Sequence, residues 1–165
     1  MNTESLSAQV PNELTALHYK SLFVFQIEVK PPSIVGATPG YDRRIGEIAG
    51  GRFEGERLRG RILSGGSDWQ SLRADGATTI NVRLVMETDD GALIAMRYFG
   101  VRHGPKEVLD RIARGEKVNP SEYYMRVTAK FETAAEKYGW LNRLVAVASG
   151  HRVAGGAIYQ VFEIL

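Results

Sequence analysis

From Leu17 to Val29 the chain alternates with the two-residue period of a strand: Phe23, Phe25, Ile27 and Val29 fall on one face, Val24, Gln26 and Glu28 on the other. Pro31-Pro32 ends it, and Ser33 to Gly46, with two Gly and one Pro before its last residue and little alternation, reads as a long loop. A second strand region follows, interrupted by Gly50-Gly51 and Gly60, where bulges or barrel corners are expected. After Gly65-Gly66 come a short strand from Asp68 to Arg73, an Asp75-Gly76 turn, the clean strand Thr78 to Glu87, a second turn at Asp90-Gly91, and a strand from Ala92 to Phe99. Aspartate-glycine pairs between alternating segments predict hairpins, hence a three-strand meander.

The convincing helix is Pro105 to Arg114, with Pro in its first turn, Val108, Leu109 and Ile112 on one side and Gly115 as its stop. Further strands are predicted at Glu122 to Phe131, Arg143 to Ala148 and Ala157 to Ile164, with Thr133-Ala-Ala-Glu136 reading as a capping box between the first two. About eight to ten strands and one short helix fit an antiparallel barrel closed on itself to remove its edges. Residues 1–14 are polar and unpatterned, so the chain divides into a flexible N-terminal tail over 1–14 and a single barrel domain over 15–165.

Composition narrows the classes of function. The 165 residues, 44% of them hydrophobic, suffice for one sizeable core. A net charge of +2 is too small to make a phosphate backbone the main partner, so no nucleic-acid partner is expected. With no cysteine there is no disulfide framework and no thiolate chemistry; the first residues lack the basic start and apolar run of a signal peptide and no apolar stretch matches a bilayer span, so neither is expected. A cytoplasmic protein with no membrane partner is expected. His18, His103 and His151 are far apart in sequence, and phosphate-loop, dinucleotide, nucleophile-elbow and zinc-protease motifs are absent, so neither a metal nor a cofactor is expected.

The candidate chemistry lies in polar residues whose facing the periodicity leaves open. Asp68 precedes Trp69: a carboxylate beside a large aromatic becomes a general acid or base when desolvation raises its pKa, whereas the plainer reading has Trp69 in the core and Asp68 capping the glycine turn. Asn81 and Arg83 share the face opposite Ile80, Val82, Leu84 and Met86; if that polar face lines the lumen, Arg83 anchors an anion, and otherwise it is a surface residue. The same choice applies to Arg97 and Tyr98, and to Tyr124 and Arg126. Arg43-Arg44 in the expected loop would clamp an acid at a pocket mouth or sit in solvent. The Arg57, Arg59 and Arg61 stripe reads as a solvated face rather than a polymer-binding one, because Glu54 and Glu56 adjoin it.

Several of these motifs together resemble a known family. Arg43-Arg44, Gly50-Gly-Arg-Phe-Glu-Gly55, Leu58-Arg-Gly60, Gly65-Gly-Ser-Asp-Trp69, Asp75-Gly76, Thr88-Asp-Asp-Gly-Ala92, Tyr123-Tyr-Met-Arg126, Phe131-Glu-Thr133 and Trp140-Leu-Asn142 resemble, in order and spacing, domain-of-unknown-function family 3237, whose bacterial members are also called uncharacterised protein family 0311. The resemblance runs from residue 17 to 165 and implies a single, mainly β, antiparallel barrel, lipocalin-like or allene-oxide-cyclase-like in outline; it implies no agreed activity or catalytic residue. Where the family pattern often has Leu-Asp-Ala-Arg this chain has Ile80-Asn-Val-Arg83, so Arg83 lacks the acidic neighbour of that pattern.

The functional expectation is a barrel binding a small apolar or aromatic molecule that carries an anionic or carbonyl oxygen. Trp69, Tyr98, Tyr124 and Trp140 would supply aromatic surface, and Arg83 with Arg126 or Arg43 would orient the oxygen. The alternatives are a cofactor-free isomerase, cyclase or lyase using Asp68 as acid and base, and a structural or protein-interaction domain. A homodimer is also expected, because the apolar strand faces exceed what one short helix covers; a monomer at all concentrations in sedimentation would contradict it.

Overall fold

The computed structural model describes residues 5–165, so the first four residues of the expected tail lie outside the described residues. From Ser5 to His18 every residue is exposed, with short 3-10 turns at Leu6–Gln9 and Asn12–Leu14. Ten strands follow: β1 (Tyr19–Val29), β2 (Ser33–Ala37), β3 (Asp42–Glu54), β4 (Arg59–Ile62), β5 (Ser67–Leu72), β6 (Thr78–Thr88), β7 (Leu93–His103), β8 (Tyr124–Glu132), β9 (Val145–Val153) and β10 (Gly156–Ile164). One helix, α1 (Lys106–Ala113), stands between β7 and β8.

All strand pairings are antiparallel and the sheet closes. The order runs β1, β10, β9, β8, β7, β6, then β4 and β5, then β3, which pairs back to β1. Strands β4 and β5 each bridge β3 to β6 at different heights and so share one place in the wall, which gives an eight-position barrel; β2 is an extra strand paired to β3. Closure gives every ring strand a partner on both sides, which an open sheet cannot do.

The core fills the lumen. In β6 the even positions Ile80, Val82, Leu84 and Met86 are buried and point inward; in β1 the inward set is Phe23, Phe25 and Ile27, and in β8 it is Met125, Val127, Ala129 and Phe131. Phe23 meets Phe53 and Phe131 edge-on at 5.8 Å each, forming an aromatic plug toward the end where β3 and β8 finish. Glycine at position 150 leaves the room that Tyr159 needs, since a Cβ there would meet the tyrosine ring at 2.6 Å.

Two expectations change. The segment from Ser33 to Gly46 is a hairpin rather than a loop: β2 pairs with the start of β3 although Ile34 and Val35 stay exposed, because backbone hydrogen bonds, not burial, hold it. The helical turn expected after Thr133 is a 3-10 segment, Glu136–Arg143, with no side-chain cap at Ala135; Thr133 Oγ1 accepts from Ala135 N at 3.2 Å and donates to Leu93 O at 2.7 Å. The reciprocal capping box stands instead at Asn119 and Glu122, ahead of β8. No helix among the described residues is long and apolar enough to cross a membrane.

Candidate functional site

One end of the barrel differs from the rest in what its inward positions carry. The β2–β3, β5–β6 and β9–β10 turns and α1 gather at the end where β3 begins and β7 and β9 finish. There the inward phase of each strand turns polar. In β7 the buried series Ile94, Met96, Tyr98 continues through Gly100 to Arg102; in β9 Ala146, Ala148 and Gly150 lead to Arg152; in β3 Asp42 and Arg44 precede Gly46 and Ile48. Strand β5 adds Asp68 and Gln70. Register ties them together, since Arg44 lies opposite Gln70, Asp42 opposite Leu72, Leu72 opposite Thr78 and Thr78 opposite Arg102.

Asp68 is the buried acid of this mouth, 6% exposed. Its Oδ2 accepts from Gln70 Nε2 at 2.6 Å and its Oδ1 from Asn81 N at 3.4 Å. The β5–β6 ladder skips Trp69 and Gln70, so Asn81 N–H turns to the carboxylate at the gap. Burial raises the Asp68 pKa; the hydrogen bonds from Gln70 and Asn81 and the charges of Arg152 and Arg102 oppose the rise without cancelling it.

The floor is aromatic. Phe25 stacks on Tyr159 with centroids 4.8 Å apart, and Tyr98 tilts against Phe25 at 5.6 Å and Tyr159 at 5.3 Å. Burial, then the neighbouring Tyr159 and Asp68, lift the Tyr98 phenol well above its ordinary value, so it stays a proton donor. Its hydroxyl approaches that of Tyr159 without reaching hydrogen-bond geometry and makes no hydrogen bond. Burial also lowers the Arg102 pKa, with the Arg152 charge adding to the effect. Two guanidinium groups thus face a shared space that holds one carboxylate.

Among the described residues, five buried side-chain polar atoms lack a hydrogen-bond partner: Asp42 Oδ1, Arg44 Nε, Tyr98 Oη, Arg102 Nε and Arg152 Nε. All five belong to inward positions leading to this mouth. Buried polar groups are normally paired, so their concentration at one end marks a place built for polar contact with something else. Behind Arg152 the rim is held by Tyr123, whose Oη accepts from Arg152 N at 2.7 Å and meets His151 Nδ1 at 3.0 Å. A cleft of about 380 Å³ opens beside it, between the end of α1 and the β9–β10 turn, lined by His151 and Arg152 among others.

The residues singled out from sequence scatter. Asp68 and Tyr98 are in the mouth. Trp69, 47% exposed, and Arg83 face outward, because the apolar phase of β6 takes the interior; the lumen orientation considered for Arg83 is therefore replaced by an outer one. Arg43 also faces outward, its guanidinium 4.6 Å from the Tyr41 ring and 5.6 Å from that of Trp69. Tyr124 and Arg126 stack on each other on the outer wall at 5.0 Å, opposite in phase to the buried Met125. Trp140 lies at the far end under Arg57, 3.9 Å from its ring, and Arg57 pairs with Glu163 at 2.7 Å. Of the two readings of Asp68-Trp69, the plainer one, Trp69 in the core and Asp68 capping the turn, is reversed: Asp68 is buried and Trp69 is outside. Of the Arg43-Arg44 pair weighed as a clamp, Arg44 is the one at the mouth; Gln70, Arg102, Arg152 and Tyr159 were missed, although Arg102 and Arg152 carry a readable signal: each is an arginine in phase with an apolar strand face.

The two tryptophans give a direct check on this placement. Acrylamide should quench an exposed, red-shifted emission that Trp69→Phe abolishes and Trp140→Phe leaves; equal quenching in both variants would contradict it.

Fold and site together define a small closed antiparallel barrel with one polar, arginine-rich end over buried aromatic rings. The chain belongs to the family of proteins of unknown function DUF3237, whose model matches residues 17–164. A UPF0311 protein of Bradyrhizobium diazoefficiens is 35% identical over 145 residues, covering 87% of this chain and 95% of the relative. The crystal structure of a beta-barrel like protein from Acinetobacter baumannii is 39% identical, with a TM-score of 0.82 over 94% of this chain and all of that one. A conserved protein of unknown function from Rhodopseudomonas palustris is 33% identical, with a TM-score of 0.86 over 91% of this chain and 98% of its own.

Proposed function

We propose that the mouth binds a small, largely apolar or aromatic molecule through an anionic or carbonyl oxygen. The observation that carries this reading is the gathering of the five unpartnered buried polar atoms, three of them arginine Nε, above a floor of Phe25, Tyr98 and Tyr159. The apolar body lies in the cleft beside Arg152, over this buried aromatic layer. Arg44, Arg102 and Arg152 offer planar donor forks to the oxygen, and Tyr98 adds a neutral O–H donor. Asp42 is taken up by Arg44, whose Nη2 lies 3.4 Å from its Oδ2, so Arg102 and Arg152 are left with Asp68 as their one carboxylate and an anion balances the excess.

Asp68 favours a second reading, in which the same mouth is the active site of a cofactor-free isomerase, cyclase or lyase. A carboxyl whose pKa is raised by burial is suited to taking a proton from carbon or oxygen and returning it elsewhere on the ligand, while the arginines and Tyr98 stabilise the enolate-like oxygen that forms.

Calorimetric titration with 2-naphthoate tests binding at the mouth. Arg102→Met and Tyr98→Phe should each weaken it about tenfold or more, the usual scale for losing a charged or buried hydrogen-bond partner. Unchanged affinity in both variants would remove the mouth as the site.

A further inference from the structure

The outer wall opposite the apolar phase of β6 has an order of its own. Antiparallel register sets Arg83 directly against Arg97, and Arg97 directly against Lys130, so three cations form one row across β6, β7 and β8. Neighbouring strands are about 4.8 Å apart, and like charges placed opposite one another cost stability. None of the three has an acidic partner within ion-pair distance among the described residues, whereas Arg57 and Arg61, elsewhere on the barrel, are paired to Glu163 and Glu87. An arrangement that costs stability and is left uncompensated within the chain points to an anion from outside.

Two residues along the strands, about 7 Å away, runs a second row. Asn81 lies opposite Phe99, which lies opposite Thr128, and Trp69, on the outer phase of β5, follows the Asp68–Val82 pair on the side toward Asn81, at the gap in the ladder. Trp69 and Phe99 are both large aromatics on the outside, Phe99 57% exposed, and they flank the short polar Asn81. Trp69 is also fixed in place: its Nε1–H donates to Ser67 Oγ at 3.1 Å, and Arg43 covers its ring. Clefts of about 590 and 290 Å³ share Arg83, Arg97 and Lys130 in their linings; the first extends past Val85 to Glu132, the second past Asn81 to Phe99. The larger lies within the range of small-molecule sites.

We propose that this wall is a second binding site, separate from the mouth, for a small planar aromatic molecule bearing a phosphate-like dianion. The ring rests on Phe99 and Trp69 across Asn81, and the dianion lies on the Arg83, Arg97 and Lys130 row. Two arginine forks and an ammonium match the several oxygens of a phosphoryl group better than a single carboxylate, and the exposed rings supply the stacking surface. A polymer is disfavoured, because the row is three cations long and the chain carries a net charge of only +2.

The test is titration with 1-naphthyl phosphate, followed by calorimetry and amide chemical shifts, with inorganic phosphate and 1-naphthol as half-ligands and a twenty-nucleotide oligothymidylate as the polymer. Binding should perturb amides of β5 to β8 on the outer wall and quench Trp69, exceed either half-ligand at least tenfold, and fall at least tenfold in both Arg97→Glu and Phe99→Ala. Both substitutions are at exposed positions, so the fold should survive, and Arg102→Met in the mouth should leave this binding unchanged. Affinity retained in Arg97→Glu but lost in Arg102→Met would overturn the proposal by assigning the ligand to the mouth. An oligothymidylate binding more than tenfold tighter than naphthyl phosphate would overturn it in favour of a nucleic-acid surface.

Discussion

Phe25→Ala is expected to destabilise the barrel by about 3–5 kcal/mol, the range found when a buried phenylalanine is truncated and its cavity does not collapse. Phe25 is 1% exposed and touches three other aromatic rings, Phe23, Tyr98 and Tyr159. It is also held in register on both sides, opposite Tyr159 in β10 and Phe53 in β3, so the walls around the hole cannot close by shifting one strand alone. For a chain of this size each kcal/mol corresponds to about 2–4 °C, which puts the fall in Tm on the order of 10 °C. Phe99→Ala, on the outer wall, should change stability by no more than about 0.5 kcal/mol. Thermal and urea unfolding of the two variants side by side check the assignment of inner and outer faces; similar losses in both would refute it.

Asp68→Asn should stabilise the protein, and more so as pH rises. In the unfolded chain the carboxyl gives up its proton near pH 4. In the folded barrel burial raises that pKa, so over the interval between the two values the folded state holds the extra proton. Stability therefore falls as pH rises through the interval and stays at the lower level above it. The amide cannot ionise and escapes this loss. The Tm difference between variant and parent should be near zero below about pH 4, grow as pH increases, and then level off, the plateau marking the folded pKa. Arg102 and Arg152 work in the opposite direction, since the substitution removes a charge they interact with, but their effect on the carboxyl is smaller than that of its burial. A variant less stable than its parent at pH 7 would show that the ion-pairing outweighs desolvation after all. If the mouth is catalytic, the same substitution should abolish turnover while stabilising the fold, the pattern of a site that gives up stability for function.

Much of the architecture is legible in the residues because most strands have a single apolar phase. Ile80 to Met86, the turns at Gly76 and Gly91 with φ near +84° and +83°, and the helix stopped by Gly115 all stand where alternation, turn chemistry and capping put them. The barrel and its family membership follow from the same signals. The site is harder to read for a physical reason. A strand shows which residues share a face, yet inside and outside are decided by the sum of burial over the whole barrel, so Arg83 and Tyr124 carry no label saying which way they point. Trp69 misleads for the same cause: its size suggests core, but β5 runs Asp68, Gln70, Leu72 on one face and Ser67, Trp69, Ser71 on the other, with no dominant apolar phase, and β3 and β6 decide its facing. Arg102 and Arg152 could have been found by following each apolar phase to the end of its strand and asking what breaks it.

The shared place of β4 and β5 in the wall has a consequence for how such barrels diverge. Each half is paired to β3 and β6 independently, and the linker between Ile62 and Ser67 passes through exposed Ser64 and Gly65. Leu63 N donates to Val85 O, and Gly65 and Gly66 bond to Ile48, so a residue inserted at Ser64, between these anchors, lengthens a surface turn instead of shifting a strand by one position, which would turn every inward side chain outward. The rim half of the stave can thus drift in length and sequence while the lower half keeps its pairing, so relatives are free to reshape the opening on an unchanged base.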